Sequence, residues 1–168
     1  CDYLLASDME MTPVPGYDFT SWEKGYGDFH LVPDLKTIRM ATWLEKSAMV
    51  ICDVHARDQK SLLEFAPRTI LKKQIERATR KGFKAMGATE LELFLFNDSY
   101  EEAAKKQFVN LEPAGQYIED YHILQGTKEE NVIGAVRYHL ERSGVPVENS
   151  KGEWGPGQQE INLRFSDL

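Results

Sequence analysis

The sequence predicts an α+β protein, with strands and helices in separate stretches of one chain. Three observations predict it. "SAMVICDVH" (residues 47–55) is a β-branched apolar run, read as a buried strand. "GATELELFLF" alternates from Thr89 onward, as a half-buried strand does. Two other stretches, "APRTILKKQIERATRKG" and "EENVIGAVRYHLERSG", repeat apolar residues at helical spacing. A composition of 42% hydrophobic and 28% charged residues places the chain among globular proteins rather than disordered ones.

Taken in order, residues 1 to about 45 are punctuated by Pro13, Pro15, Gly16, Gly25, Gly27 and Pro33, which predicts short strands and loops. The strand 47–55 follows. In the first helix Pro67 suits the opening turn and Gly82 the stop. Ile70, Leu71, Ile75 and Ala78 share its apolar face. In the alternating strand Leu91, Leu93 and Leu95 point one way, and Glu90, Glu92, Phe94 and Phe96 the other. Residues 97–127 carry little regular pattern and are expected to be irregular, with room for a hairpin. The second helix is expected to turn Val132, Ile133, Val136 and Leu140 inward and to end at Gly144. "VPVEN" and "EINLRF" read as further strands, and a domain boundary is expected near residues 56–66.

A net charge of −7 argues against a nucleic-acid-binding surface, which needs clustered Lys and Arg. The densest basic stretch, Lys72 to Lys81, reads as the wet side of a helix. No apolar run reaches the ~18 residues of a membrane helix. Cys1 and Cys52 lack CxxC partners, so no disulfide framework is expected and a reducing, cytoplasmic setting fits. The chain starts at Cys1 without an initiator Met and ends at Leu168 just after an apolar segment, which leads us to expect a fragment of a longer protein.

The acidic residues carry the chemistry. Glu90 and Glu92, at i and i+2 on a strand, put two carboxylates on one face roughly 7 Å apart. A solvated strand face is the ordinary alternative, but two phenylalanines continuing such a face would be unusual. Glu153 and Glu160 bracket the turn "GPGQQ", which is expected to fold Glu160 back toward Glu153, with Gln158 free to orient a carboxylate. Four glutamates with no Lys or Arg evident to pair them suggest hard oxygen ligands for Mg²⁺ or Mn²⁺.

Read together, these stretches resemble the glutamine synthetase family. "GATELELFLF" is similar to its E-x-E metal strand, "EWGPGQQE" to its E-x-x-P-G-Q-x-E motif, and "GYGDFHLVPD" to its S-D-x-x-L-x-P-D segment with Gly27 in place of the serine. The resemblance implies an N-terminal β-grasp domain over residues 1–58, incomplete at its start, and the beginning of a catalytic α+β domain over 59–168. It implies an ATP-dependent ligase that forms a γ-glutamyl amide from glutamate and ammonia through γ-glutamyl phosphate. A γ-glutamyl amine or polyamine ligase and a non-catalytic homologue are the alternatives. Glu92, Glu153 and Glu160 match ligands of the glutamate-side metal, and Glu90 a ligand of the second, nucleotide-side metal. Glu148, Leu163 and Phe165 match nucleotide-site positions. Asp28 matches the aspartate that, across a subunit boundary, binds and deprotonates ammonium. The family's ring assembly, a dodecamer or similar, is implied by the same route. Its later metal-binding His and Glu and its ATP-gripping arginines have no counterpart before Leu168, so the 168-residue chain alone is expected to be inactive.

His30, His55, His122 and His139 lack the paired spacing of a metal site and are expected to be structural or surface residues. Trp22, Trp43 and Trp154 are expected to pack, and Ser150 and Ser166 have no histidine partner for a nucleophilic triad.

Overall fold

Pro67 and Gly82 do bound the first helix. A computed structural model describes residues 1–168. In it α1 (Pro67–Arg80) has Pro67 in its first turn, and Gly82 adopts φ +81° just past its end. The chain divides into two units, Cys1–Ile38 with Met49–Ala85 and Arg39–Ala48 with Met86–Leu168.

The first unit holds an antiparallel pair, β1 (His30–Pro33) with β4 (Cys52–His55), in which Val32 faces Asp53 and Leu31 faces Val54. Arg68 at the start of α1 donates to Asp34 at 2.8 Å and to Asp53 at 2.7 Å, and Lys72 reaches Asp53 at 2.6 Å. The Lys72 and Arg68 hydrogen bonds hold the Asp53 carboxyl below its ordinary range against the opposing effect of burial. These contacts pin α1 to β4.

The expected single strand over 47–55 is two short ones, β3 (Ala48–Met49) and β4; β3 pairs with β2 (Arg39–Met40). The break falls where Ile51 is taken up locally. Its N–H donates to Thr37 Oγ1 at 2.8 Å and its carbonyl accepts from Asp34 N at 2.9 Å, so neither group is free for a ladder.

The second unit is built on an antiparallel sheet of β5 (Met86–Phe94), β7 (Gln158–Asp167) and β6 (Val147–Gly152), with β7 in the centre. α4 (Glu130–Arg142) covers one face through Ile133, which joins Val147 and Ile161 in the core beside Leu95, Leu140 and Leu163. Of the expected inward residues, Val132 and Val136 are instead exposed and line an apolar hollow with Trp43. Arg39 donates to the Gly144 carbonyl at 2.9 Å, and Thr42 Oγ1 lies 3.0 Å from His139 Nδ1.

Residues 97–127 are not irregular throughout. They contain α2 (Tyr100–Lys105), started by a capping box in which Ser99 and Glu102 satisfy each other's backbone N–H, and the short α3 (Ile123–Gly126), capped by His122. The Ser99-x-x-Glu102 spacing carried that signal in the sequence.

Candidate functional site

On β7 the side chains alternate, so Ile161 enters the α4 core and Glu160 points to the opposite face. The register sets Glu92 of β5 opposite Glu160 on one side and Lys151 of β6 opposite it on the other. Glu90 faces Asn162 two pairs further along, on the same face. Cross-strand pairing therefore brings carboxylate oxygens of Glu90, Glu92 and Glu160 within 4.8 Å of one another. Glu90 and Glu92 are exposed and Glu160 is buried, so the group is open on one side.

The turn between β6 and β7 completes the arrangement. Glu153 N donates to the Gln158 carbonyl at 3.0 Å and Gln158 N to the Gly155 carbonyl at 2.9 Å. Gln158 Oε1 accepts from Gly155 N at 2.8 Å, which leaves Nε2 to donate to Glu92 Oε2 at 2.7 Å. Gly155 lies so close to Phe94 that a Cβ there would come within 2.6 Å of the ring. Phe94 and Phe96 stack at 6.5 Å but stay 52% and 44% exposed, so they form an open rim rather than a closed lining.

Glu153 stands outside the tight group of three and reaches it through Glu160 and Lys151. The expectation that no basic residue pairs these glutamates is overturned, because Lys151 Nζ binds Glu153 Oε1 and lies 2.8 Å from Glu160 Oε2. The Glu160 carboxyl is brought down to about 2, first by its hydrogen bond with the Glu153 carboxyl, then by Lys151, with Asn162 assisting against burial. Burial works to lower the Lys151 ammonium, but its hydrogen bonds to Glu153 and Glu160 outweigh that and raise it above its ordinary value.

Behind the turn lies a second acidic pair that sequence reasoning missed. Glu119 is fully buried; its Oε1 accepts from Gly157 N at 3.0 Å and its Oε2 accepts from the Gln159 side-chain amide. Glu129, also buried, is raised above the ordinary carboxylate range by burial and by its neighbour Glu119, and its Oε2 has no partner. Nothing in "GQYIEDYH" distinguished Glu119 from a surface glutamate. Lys151 did carry a signal, since it stands at i−2 from Glu153 in the strand leading into the turn.

The remaining expected residues are placed as follows. Glu148 is the extra residue of a bulge between Val147 and Asn149 and is exposed. Leu163 flanks the core, while Phe165 is 68% exposed. Asp28 belongs to the first unit, where its side chain is exposed and stands 3.6 Å from the Cys1 amino group. The four histidines join no potential metal-holding group. The three tryptophans do not pack as expected: Trp22, Trp43 and Trp154 are 82%, 50% and 69% exposed.

Three carboxylates within 4.8 Å, one of them buried, form a hard-oxygen donor set that fits Mg²⁺ or Mn²⁺. The Lys151 ammonium is seated against Glu160 and Glu153 and offsets part of their charge.

A family model of the glutamine synthetase catalytic domain matches residues 64–168. The gamma-glutamylethanolamide synthetase of Streptomyces coelicolor is 41% identical over 167 residues, 99% of this chain and 36% of its own length. The glutamate–isopropylamine ligase of a Pseudomonas species is 36% identical over 154 residues, 92% of this chain and 33% of its own length. Among solved structures, ligand-free GmaS superposes with a TM-score of 0.68 at 21% identity, covering 89% of this chain and 34% of that one. The chain thus spans about a third of the length of the curated relatives it matches. No helix is long and apolar enough to cross a membrane.

Proposed function

The chain belongs to the glutamine synthetase family, and from that premise we propose that the full-length protein is an ATP-dependent ligase joining the γ-carboxylate of glutamate to an amine. The observation that carries this reading is the convergence of Glu90, Glu92 and Glu160 within 4.8 Å. The two relatives named above, both named for amide formation with an amine, favour an amine acceptor over ammonia.

In the proposed reaction a γ-carboxylate oxygen of glutamate attacks the γ-phosphorus of ATP, giving γ-glutamyl phosphate and ADP. The amine nitrogen then attacks the acyl carbon, phosphate leaves, and the nitrogen loses a proton. Divalent cations would supply neutralisation of the phosphate oxygens and alignment of the transfer. Glu92, Glu153 and Glu160 would hold the cation on the glutamate side, and Glu90 would hold the one on the nucleotide side. Gln158 fixes Glu92 by hydrogen bonding, which keeps that carboxylate aimed across the strands. Glu148 and the Leu163–Phe165 stretch would contact the nucleotide. Asp28, contributed from a neighbouring subunit, would receive the proton of the incoming amine, with Gly27 beside it in place of a hydroxyl side chain.

An N-terminal β-grasp domain over 1–58 and the start of the catalytic domain over 59–168 belong to the same reading, supported by the family match that begins at residue 64. So do a ring-shaped homo-oligomer, a cytoplasmic location and inactivity of the 168-residue chain by itself. Phosphate release by the full-length protein, with glutamate, ATP and Mn²⁺, is expected to be faster per mole of ethanolamine or isopropylamine than of ammonia. A kcat/KM for ammonia at or above those for the amines would return the acceptor assignment to glutamine synthesis. No release with any acceptor would favour a non-catalytic homologue.

A further inference from the structure

Glu160 has both oxygens engaged. Oε1 accepts from Asn162 Nδ2 at 2.6 Å, and Oε2 accepts from Lys151 Nζ at 2.8 Å. Each oxygen keeps a second lone pair, so a cation can ligate Glu160, but it then lies beside the Lys151 ammonium. Asn162 is neutral and is itself held by Asn149 at 3.0 Å. Lys151 is charged, and a doubly charged ion beside it would repel it. The same ammonium also binds Glu153, so one side chain occupies two of the four expected ligands.

Lys151 has a partner besides the carboxylates. Its Nζ stands 4.9 Å from the centroid of the Tyr121 ring, and that ring is 73% exposed. An aromatic face at that distance attracts an ammonium. The ammonium already lies in contact range of that ring while it binds the carboxylates, so it keeps one partner when they turn to a metal, and its flexible four-carbon stem allows the shift without moving β6.

We propose that Lys151 is a built-in counter-ion, seated between Glu153 and Glu160, which a divalent cation displaces on binding, so that this residue sets the metal affinity of the site. The proposal rests on the metal reading of the glutamates given above. It adds that the resting site already holds one positive charge, Lys151, against its carboxylates and that metal binding is an exchange of one cation for another. The side chain acts on the metal through the ligands, as a positioning residue.

The test uses the full-length protein and free Mn²⁺ measured by electron paramagnetic resonance. Lys151→Met keeps the stem and removes the charge, and is expected to bind Mn²⁺ about ten-fold more tightly, equivalent to about 1.4 kcal/mol. Lys151→Arg keeps the charge and is expected to bind as the wild type does. Equal or weaker binding by Lys151→Met, with wild-type binding intact, overturns the proposal and leaves the metal reading standing. If neither protein binds Mn²⁺, the metal reading falls and takes the proposal with it. A second measurement needs no variant: reductive methylation of Lys151 in the wild type, followed by mass spectrometry, is expected to accelerate at saturating Mn²⁺ relative to the other lysines. A rate at Lys151 that stays the same or falls overturns the proposal.

Discussion

Glu119→Ala tests whether the turn before β7 is held from behind. The Glu119 carboxyl is fully buried and accepts two hydrogen bonds, from Gly157 N at 3.0 Å and from the Gln159 side chain. Alanine leaves both donors buried without partners, at about 1–3 kcal/mol each. Loss of the carboxyl also relieves Glu129, which burial and Glu119 together raise; that relief offsets part of the cost. Two orphaned donors together cost about 2–6 kcal/mol, and the relief at Glu129 places the net loss toward the lower half of that range, about 3 kcal/mol. Hydrogen exchange reads this locally. The Gly157 amide is expected to exchange roughly a hundredfold faster in the variant, provided exchange proceeds through local opening. Glu119→Gln keeps one acceptor oxygen but turns the other position into a donor, so it should lose about half as much. Exchange at Gly157 within about three-fold of wild type, with an unchanged unfolding midpoint, would refute the reasoning, because no buried donor would then have been orphaned.

Two further perturbations follow from neighbouring features. Glu129 is raised in the folded state, so the folded protein binds its proton more tightly than the unfolded chain; its contribution is retained at low pH and lost as pH climbs from about 4.5 through the raised value. Glu129→Gln removes that loss and can donate to Glu119, so thermal melts should show the variant matching wild type near pH 4 and exceeding it increasingly toward pH 8; a constant gap would contradict the titration. Gly157→Ala meets a φ of +73° and would bring a Cβ within 2.6 Å of the Leu95 carbonyl oxygen, so it should cost about 2–4 kcal/mol in urea unfolding and weaken Mn²⁺ binding as the turn shifts.

What the sequence made legible was whatever depends on local periodicity. The bounds of α1 followed from Pro67 and Gly82, and the shared face of Glu90 and Glu92 on β5 from strict alternation, although Leu91 on the other face stays 51% exposed. The return of Glu160 toward Glu153 followed from Pro156 and its flanking glycines. Long-range partners were hidden. That Thr37 would claim Ile51 and split a strand depends on a hydroxyl 14 residues away. That Glu119 would stand under Gly157 depends on a contact across 38 residues, and no spacing rule reaches that far. Lys151 was hidden for a related reason: its place opposite Glu160 depends on the register between β6 and β7, which the Glu148 bulge shifts.

The bulge at Glu148 has a consequence for how β6 is used. Val147 and Lys151 are four positions apart and would look the same way on an unbroken strand. With the added residue, Val147 opposes Leu163 while Lys151 opposes Glu160. A single short strand thus serves the oily interior at its start and the charged pocket at its finish. Deleting Glu148 would force a choice between those two allegiances, and the phase of the whole edge would turn on one amino acid.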